Sequence, residues 1–463
     1  MNELTVDVAV IGAGVVGCAT ARLLAHHDLA VALVEAGPDV GAGTSKANTA
    51  ILHTGFDATP GTIESRLVAR GSSLLRAYAA SVGIAVEETG GLLVAWTDEQ
   101  LERLPVLQAK AVQNGYDATR LVDAAELAAL EPHLGPGAVG ALAVPDEHII
   151  DPWSTPLAFA REAVANGAVL WRRAPVTSVA SSAEGHVLTT PAGSVRARFV
   201  VNAAGLAGDT VHALFGHRSF TIRPRRGELI VFDELARGLL HHVLLPVPTA
   251  TTKGVLVSPT VFGNVLLGPT ADDIDDRTAT GSTRDGLDRL LSQGRRILPR
   301  LLDEEVTAVY VGLRPATEES DYRIELHADQ RYLCLGGIRS TGLTAAMGIA
   351  EEALALLGRA GLAAATKAPD AVVPITVPYL GQVGPRPWQT GERIVCHCER
   401  VTGLEIIAAG TDPFVPALDL DGVRRRTRAM LGRCQGFACT ADVVQRAASG
   451  IGITEAELLR SPT

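Results

Sequence analysis

Val6-Asp7-Val8-Ala9-Val10-Ile11-Gly12-Ala13-Gly14-Val15-Val16-Gly17 decides how the rest of this 463-residue chain is read. A short, mostly apolar strand runs into glycines spaced Gly-x-Gly-x-x-Gly. The helical period of Val15–His26 follows, then a second apolar strand, Ala30–Glu35. That order is a βαβ unit, the opening of a parallel sheet. Gly12 permits a tight turn, Gly14 lets backbone approach a pyrophosphate, and Gly17 lets the helix pack closely on the strand. The helix N-terminus offers unpaired N–H groups and the positive end of its dipole to phosphates. Glu35 ends the second strand, where an acid that bonds a ribose hydroxyl belongs. The glycine spacing alone is a weak signal. With both strands, the helix and Glu35 in register it reads as a dinucleotide site. The competing reading is a glycine-rich turn without a ligand.

Working outward, Leu67–Val82 and Leu101–Asn114 have amphipathic helical spacing, and Phe199–Asn202 reads as a buried strand ending in a Gly turn. Arg223 to about Ala316 is strand-rich, with β-type runs at Glu228–Phe232, Gly254–Ser258 and Val265–Leu267, and reads as an antiparallel layer. Tyr332–Leu335 returns to a buried strand and Thr344–Leu357 to a long apolar helix. Residues 369–390 are rich in Pro and Gly, which is linker chemistry. Composition changes after it, with cysteines and the basic run Arg424–Arg428.

The chain is 47% hydrophobic with a formal net charge of −10. An acidic balance argues against a nucleic-acid partner, because phosphate backbones need a basic footprint. No stretch of about 18 apolar residues suggests a membrane span, and the N-terminus reads as a strand rather than a signal peptide. The expected compartment is the cytoplasm, with peripheral association at the inner face of the membrane through a partner left open.

Directly after Glu35 comes a second small-residue loop, Gly41-Ala42-Gly43-Thr44-Ser45-Lys46-Ala47-Asn48-Thr49. It can supply hydroxyls and backbone donors to a diphosphate. Together with Val201-Asn202-Ala203-Ala204-Gly205 and Gly336-Gly337-Ile338-Arg339-Ser340-Thr341-Gly342-Leu343-Thr344, it resembles the D-amino-acid-oxidase-like superfamily of FAD-dependent oxidoreductases. The resemblance covers roughly residues 5–360. It implies FAD as cofactor and, as cofactor-binding residues, Gly12, Gly14, Gly17, Glu35, Thr44, Ser45, Asn48, Thr49, Val176, Ala204, Gly205, Gly337, Gly342, Leu343 and Thr344. It also implies an α/β fold: a Rossmann-like FAD-binding domain with an antiparallel β-rich substrate domain. The oxidoreductase part spans 1–368, with FAD-binding parts at about 1–80, 150–215 and 325–368 and substrate-side parts at about 81–149 and 216–324.

Cys396, Cys398, Cys434 and Cys439 form two close pairs near the C-terminus. In a cytoplasmic chain such pairs indicate a metal rather than a disulfide. Zinc and a [2Fe–2S] cluster both accept four thiolates. The Cys-x-Cys spacing leans toward iron–sulfur, and the run Arg424–Arg428 would offset the cluster's negative charge. His397 reads as a bystander between two ligands. The stretches Val395–Glu399 and Arg433–Cys439 resemble the bacterioferritin-associated-ferredoxin type of [2Fe–2S] domain. This implies a small helical [2Fe–2S] C-terminal domain over residues 391–463. Cys18 and Cys334 stand alone and read as small buried hydrophobes.

Oxidation of an alcohol by a flavin needs a base for the hydroxyl proton and cations if the substrate is an anion. His53, close behind the small-residue loop, suits the base. Arg314, in a Gly-Leu-Arg-Pro turn, and Arg339, in the late glycine-rich loop, suit anion clamps. Arg226 and Lys253 are weaker candidates, with a solvated role as their default. A flavin domain followed by this ferredoxin-type module is similar to the large subunit of anaerobic glycerol-3-phosphate dehydrogenases. Residues 47–55 are more similar to the L-2-hydroxyglutarate dehydrogenase branch. These resemblances imply oxidation of a small anionic alcohol, best matched by glycerol 3-phosphate, with an electron-acceptor protein or subunit as partner. The alternatives are a 2-hydroxy acid, an amine or amino acid, or an electron-transfer subunit without substrate chemistry.

Overall fold

The computed structural model describes residues 2–248, 254–383 and 392–460. The opening unit forms where its pattern puts it: strand Asn2–Ile11, helix Val15–Ala25, strand Val31–Val34. The two strands pair in parallel, and Asn2–Ile11 also pairs in parallel with Gly193–Asn202. Tyr332–Gly336 joins beyond Gly193–Asn202, and Val169–Trp171 extends the other edge, both in parallel. Antiparallel strands at the margins, Ser178–Ser182, Gly185–Thr190 and Arg323–His327, complete eight strands. Parallel strands need crossovers. This is why segments far apart in sequence converge at the carboxyl ends of the strands, where α/β sheets bind ligands.

Helices Val15–Ala25, Ser154–Ala165, Ile63–Val82 and Gly342–Arg359 pack on one another and on this sheet. The last two approach so closely that a Cβ on Gly71 would stand 2.3 Å from the Thr344 carbonyl oxygen. Cys18 and Cys334 are fully buried, as small hydrophobes are.

A second sheet has nine strands, in the order Asp272–Asp273, Arg223–Phe232, Val265–Gly268, Leu256–Pro259, Val243–Pro246, Gly91–Ala95, Gly140–Val144 and Arg120–Asp123, with Val306–Ala316 on Arg223–Phe232. It is antiparallel except where Val243–Pro246 meets Gly91–Ala95. Residues 81–149 and 216–324 therefore contribute to one layer. The strand-rich reading of 223–316 omitted a helix, Arg284–Ile297, capped by Thr283. Its Leu290 joins the core of Leu92, Ile230, Val257 and Leu267, each such burial contributing about 1.5–3 kcal/mol.

A three-stranded sheet of Ile51–Leu52, His148–Ile150 and Val86–Glu87 lies in between. Its register, Leu52 opposite His148, aligns two distant segments whose next residues are His53 and Glu147.

The Pro/Gly-rich stretch is pinned rather than loose up to residue 383. Val377 donates to the Val82 carbonyl and Gln382 to that of Val261, and Ile375, Val377 and Leu380 are buried. The rest of the expected linker, 384–390, lies outside the described residues. Beyond it, a hairpin (Ile394–Cys396, Val401–Thr402) and helices Gly403–Gly410, Leu420–Thr427, Thr440–Ile451 and Glu455–Arg460 share a core of their own around Val401, Ile406, Val423 and Val443. Among the described residues no helix is long and apolar enough to cross a membrane.

Candidate active site

A cleft opens at the carboxyl ends of the first sheet's parallel strands, with Pro315 of the second sheet on its border. Its walls include Gly14 and Val15 at the first helix, Thr44, Ser45 and Asn48 of the small-residue loop, and Gly205. The late loop closes the far side with Gly337, Arg339, Gly342 and Leu343. Four segments singled out in the sequence thus meet at one site. Gly12 and Gly17 act behind it: Gly12 has φ +99° and a Cβ there would lie 2.5 Å from the Ala203 oxygen, while a Cβ on Gly17 would lie 1.8 Å from the Gly12 oxygen. Ala204 neighbours both wall residues of its turn. Thr49 and Val176 do not line the cleft. Val176 packs instead against the apolar cluster that holds Trp171 and Leu188.

An FAD fits this donor set. Gly14 caps the helix with no side chain in the way, so the first-turn N–H groups face outward. The Ser45 hydroxyl accepts from the Val15 amide at 2.9 Å, marking where an acceptor is wanted. Glu35 Oε2 and Oε1 accept from Ala13 N–H at 2.6 Å and Gly37 N–H at 2.7 Å. Burial pushes the Glu35 carboxyl up, with those amide bonds opposing. A Cβ added to Gly43 or Gly205 would meet nothing within 4 Å, so both glycines border open space.

Arg314 lies within a strand, Val306–Ala316, not in the turn its Gly-Leu-Arg-Pro context suggests. Pro315 is tolerated because this strand pairs on one side only, with Arg223–Phe232. The guanidinium is largely but not fully buried and donates to the carbonyls of Thr270 at 2.7 Å and of Arg225 and Arg226 at 3.3 and 3.4 Å. Among the described residues no carboxylate pairs with it. Burial, with Arg225 and Arg339 as like charges nearby, pushes it down to about 10, still charged at neutral pH. Gly227 makes the space: a Cβ there would stand 2.9 Å from Arg314 Nη2. Arg339 donates to the Ser320 carbonyl and borders the cleft. Arg226, given a solvated default, is instead mostly buried beside Glu228 and Asp272. Lys253 lies outside the described residues.

The strand bearing Arg314 is sewn to the small-residue loop. Thr44 Oγ1 donates to the Leu313 carbonyl at 2.8 Å, Tyr310 Oη donates to the Asn48 carbonyl at 2.7 Å, and a Cβ on Gly312 would lie 2.2 Å from the Ala47 oxygen. Gly312 thus explains the glycine before Leu313-Arg314.

His53 sits at the end of its short strand, and its backbone N–H donates to Thr344 Oγ1 at 3.0 Å. Thr344 is fully buried and holds this junction instead of lining the cleft. His53 Nδ1 lies 2.5 Å from Glu147 Oε1. Sequence reading did not single out Glu147; a carboxylate between two apolar strands was the only signal.

The four cysteines converge. The thiols of Cys398 and Cys434 are hydrogen-bonded, as are those of Cys439 and Cys396. The backbone N–H of Ala438, with those of Gly436 and Phe437, aims at the Cys434 sulfur and holds its thiol below the usual range despite burial. Burial and the neighbouring thiols push Cys439 up to about 12. Amide donors aimed at a sulfur favour its thiolate, the form in which cysteine ligates a metal. His397 is exposed. The basic run was expected to offset charge at the cysteines. Two of its arginines serve docking, Arg425 and Arg426 on Asp39, while Arg428 pairs with Glu399 and Arg424 with Asp421 inside the module. Elsewhere, His212, Glu325 and His327 bring ligand atoms within 4.8 Å of one another. There Ser219 and Arg323 already occupy the Glu325 oxygens.

A dinucleotide cleft at the carboxyl ends of a parallel sheet, with an antiparallel layer and partly buried cations beside it, defines a flavin-dependent oxidoreductase. Residues 7–356 match the family of FAD-dependent oxidoreductases, and the chain belongs to it. Within the family its full-length likeness is to a glycerol 3-phosphate dehydrogenase from Caloramator mitchellensis, 32% identical over 461 residues, 98% of this chain and 96% of that protein. The structure of L-alpha-glycerophosphate oxidase from Mycoplasma pneumoniae with FAD bound has a TM-score of 0.76 and 30% identity, covering 82% of this chain and all of that one. The L-2-hydroxyglutarate dehydrogenase of Caenorhabditis elegans is 30% identical over 275 residues, 57% of this chain and 63% of that protein.

Proposed function

We propose that this enzyme oxidises sn-glycerol 3-phosphate to dihydroxyacetone phosphate and passes the electrons through a [2Fe–2S] cluster to an acceptor protein. The observation that carries the substrate reading is Arg314, a largely buried guanidinium bonded, among the described residues, to carbonyls alone, with Arg339 near enough to repel it. Two such cations side by side ask for a polyanionic group. Arg314 and Arg339 hold the phosphate, and His53 takes the proton of the C2 hydroxyl. FAD, held by the Gly12–Gly17 turn, Glu35 and the 41–49 and 336–344 loops, supplies the hydride acceptor when bound. A cluster on Cys396, Cys398, Cys434 and Cys439 supplies one-electron relay when present, and two thiol pairs suit two irons. The C-terminal module supports a dehydrogenase over an oxidase, since the whole of the Mycoplasma oxidase aligns to 82% of this chain while the full-length relative carries the dehydrogenase name. We place the enzyme in the cytoplasm, meeting a membrane only through its acceptor.

The test is anaerobic bleaching of the purified, iron-replete protein with glycerol 3-phosphate, L-2-hydroxyglutarate and amino acids in turn. Fast loss of flavin absorbance with glycerol 3-phosphate, saturating far below glycerol, supports the reading. Bleaching by L-2-hydroxyglutarate instead would reassign the clamp to a dicarboxylate, which the likeness of residues 47–55 favours as second reading. Iron and acid-labile sulfide near two each per chain test the cluster; zinc in their place overturns it.

A further inference from the structure

We infer that Glu147 is a positioning residue that fixes His53 in the tautomer carrying its proton on Nδ1, leaving Nε2 to receive the substrate's proton. The inference rests on the reading of His53 as the base. It goes further by assigning which ring nitrogen acts and what enforces the choice.

The geometry comes from the antiparallel pairing of Ile51–Leu52 with His148–Ile150. One step beyond that ladder, His53 and Glu147 face each other across 94 residues of sequence. Glu147 is 1% exposed. A buried carboxylate is costly unless its oxygens are filled with donors, and here they are. Oε2 accepts the Thr54 amide at 2.8 Å and the Thr54 hydroxyl at 3.1 Å. Oε1 faces His53 Nδ1 at 2.5 Å. A carboxylate accepts only, so Nδ1 must carry the hydrogen. In the neutral imidazole, the form a base requires, the second nitrogen then keeps its lone pair.

Thr54 makes this arrangement sensitive to a one-atom change. Its backbone N–H can only donate, so in Glu147→Gln the amide oxygen must stay on Thr54. The amide NH2 then replaces Oε1 and points at His53 Nδ1. Two donors cannot face each other, so the imidazole must move its proton to Nε2, the wrong nitrogen for a base. Glu147→Asp keeps an acceptor on that side and serves as the conservative variant.

The experiment compares wild type, E147Q and E147D as FAD holoenzymes. Anaerobic stopped-flow flavin reduction by glycerol 3-phosphate gives the limiting rate and the half-saturating concentration. Histidine ring 15N NMR, with His53 assigned by its absence in H53N, gives the tautomer. We expect E147Q to reduce its flavin about 10²–10⁴-fold more slowly, with half-saturation changed by less than about threefold and the His53 ring resonances exchanged. E147D should regain most of the rate and the original tautomer. A purely structural role would instead lower flavin content or melting temperature and leave the rate per bound flavin unchanged, which overturns the inference. An unchanged tautomer in E147Q also overturns it. If glycerol 3-phosphate does not reduce wild type, the substrate reading fails, while the NMR comparison still decides the role of Glu147.

Discussion

The Asp39 carboxylate grips both terminal nitrogens of Arg426, at 2.6 and 2.7 Å, across 387 residues of sequence. Arg425 adds a third bond at 2.7 Å. This buried cluster seats the C-terminal module on the loop just past Glu35. Arg433 on Asp233 and Arg161 on Asp412 are more peripheral contacts. Burial pushes the Asp39 carboxyl up, but Arg426 and Arg425 outweigh it and hold it down to about 2.

A depressed carboxyl stabilises the fold above its unfolded value near 3.8, and that contribution disappears as pH falls toward 2. The difference corresponds to about 2 kcal/mol. Asp39→Asn removes the charge at every pH and strands Arg426, which should cost about 3–5 kcal/mol. Urea midpoints at pH 7 and pH 3 check both: the variant should lie well below wild type at pH 7, and the gap should narrow in acid. Equal midpoints at pH 7 would mean that the module does not depend on this pair.

Arg314→Met should lower kcat/KM for glycerol 3-phosphate by about 10²–10³-fold, with little effect on glycerol itself. Steady-state rates with an artificial dye measure it. Equal losses on both substrates would show that the residue supports the fold rather than the phosphate. Arg314→Lys should recover only a fraction, because an ammonium cannot reproduce the planar fork.

Gly17→Ala places a methyl group 1.8 Å from the Gly12 oxygen. The turn must open, so the purified variant should carry little flavin, as the ratio of absorbance at about 450 nm to that at 280 nm will report. Full flavin content would show that the helix shifts without disturbing the phosphate turn.

Cys434→Ser should abolish bound iron while leaving flavin content and the rate with dye close to wild type. Metal analysis and the EPR signal of the reduced protein are the readouts. Retained iron would remove Cys434 from the ligand set.

The parts of the fold that were legible in the sequence are those set by local pattern. The strand, three glycines, helix and second strand formed where expected, apart from the first strand's start at Asn2, four residues before Val6, since turn geometry and apolar period lie within one short window. Helix Arg284–Ile297 was hidden because Gly286 and Gly294 interrupt its apolar stripe and strands surround it. Gly286 is needed there: a Cβ would stand 1.3 Å from Glu228 Oε2. Arg314 was placed in a turn because proline follows it, and only the sheet shows that its strand pairs on one side. The destination of Arg425 and Arg426 was misread because their partner, Asp39, belongs to a distant segment. Glu147 stayed invisible for the same reason, since its meaning comes from a strand register and not from its neighbours. His53 was legible by its closeness to the small-residue loop.

The seam joining Thr44 to Leu313, Asn48 to Tyr310 and Ala47 to Gly312 makes one mechanical unit of two segments far apart in sequence. The loop that lines the cleft and the strand that bears Arg314 share one backbone contact surface, so a displacement of either is passed to the other. A side chain added at Gly312 would therefore be felt at the cleft wall, although Gly312 itself does not border the cleft.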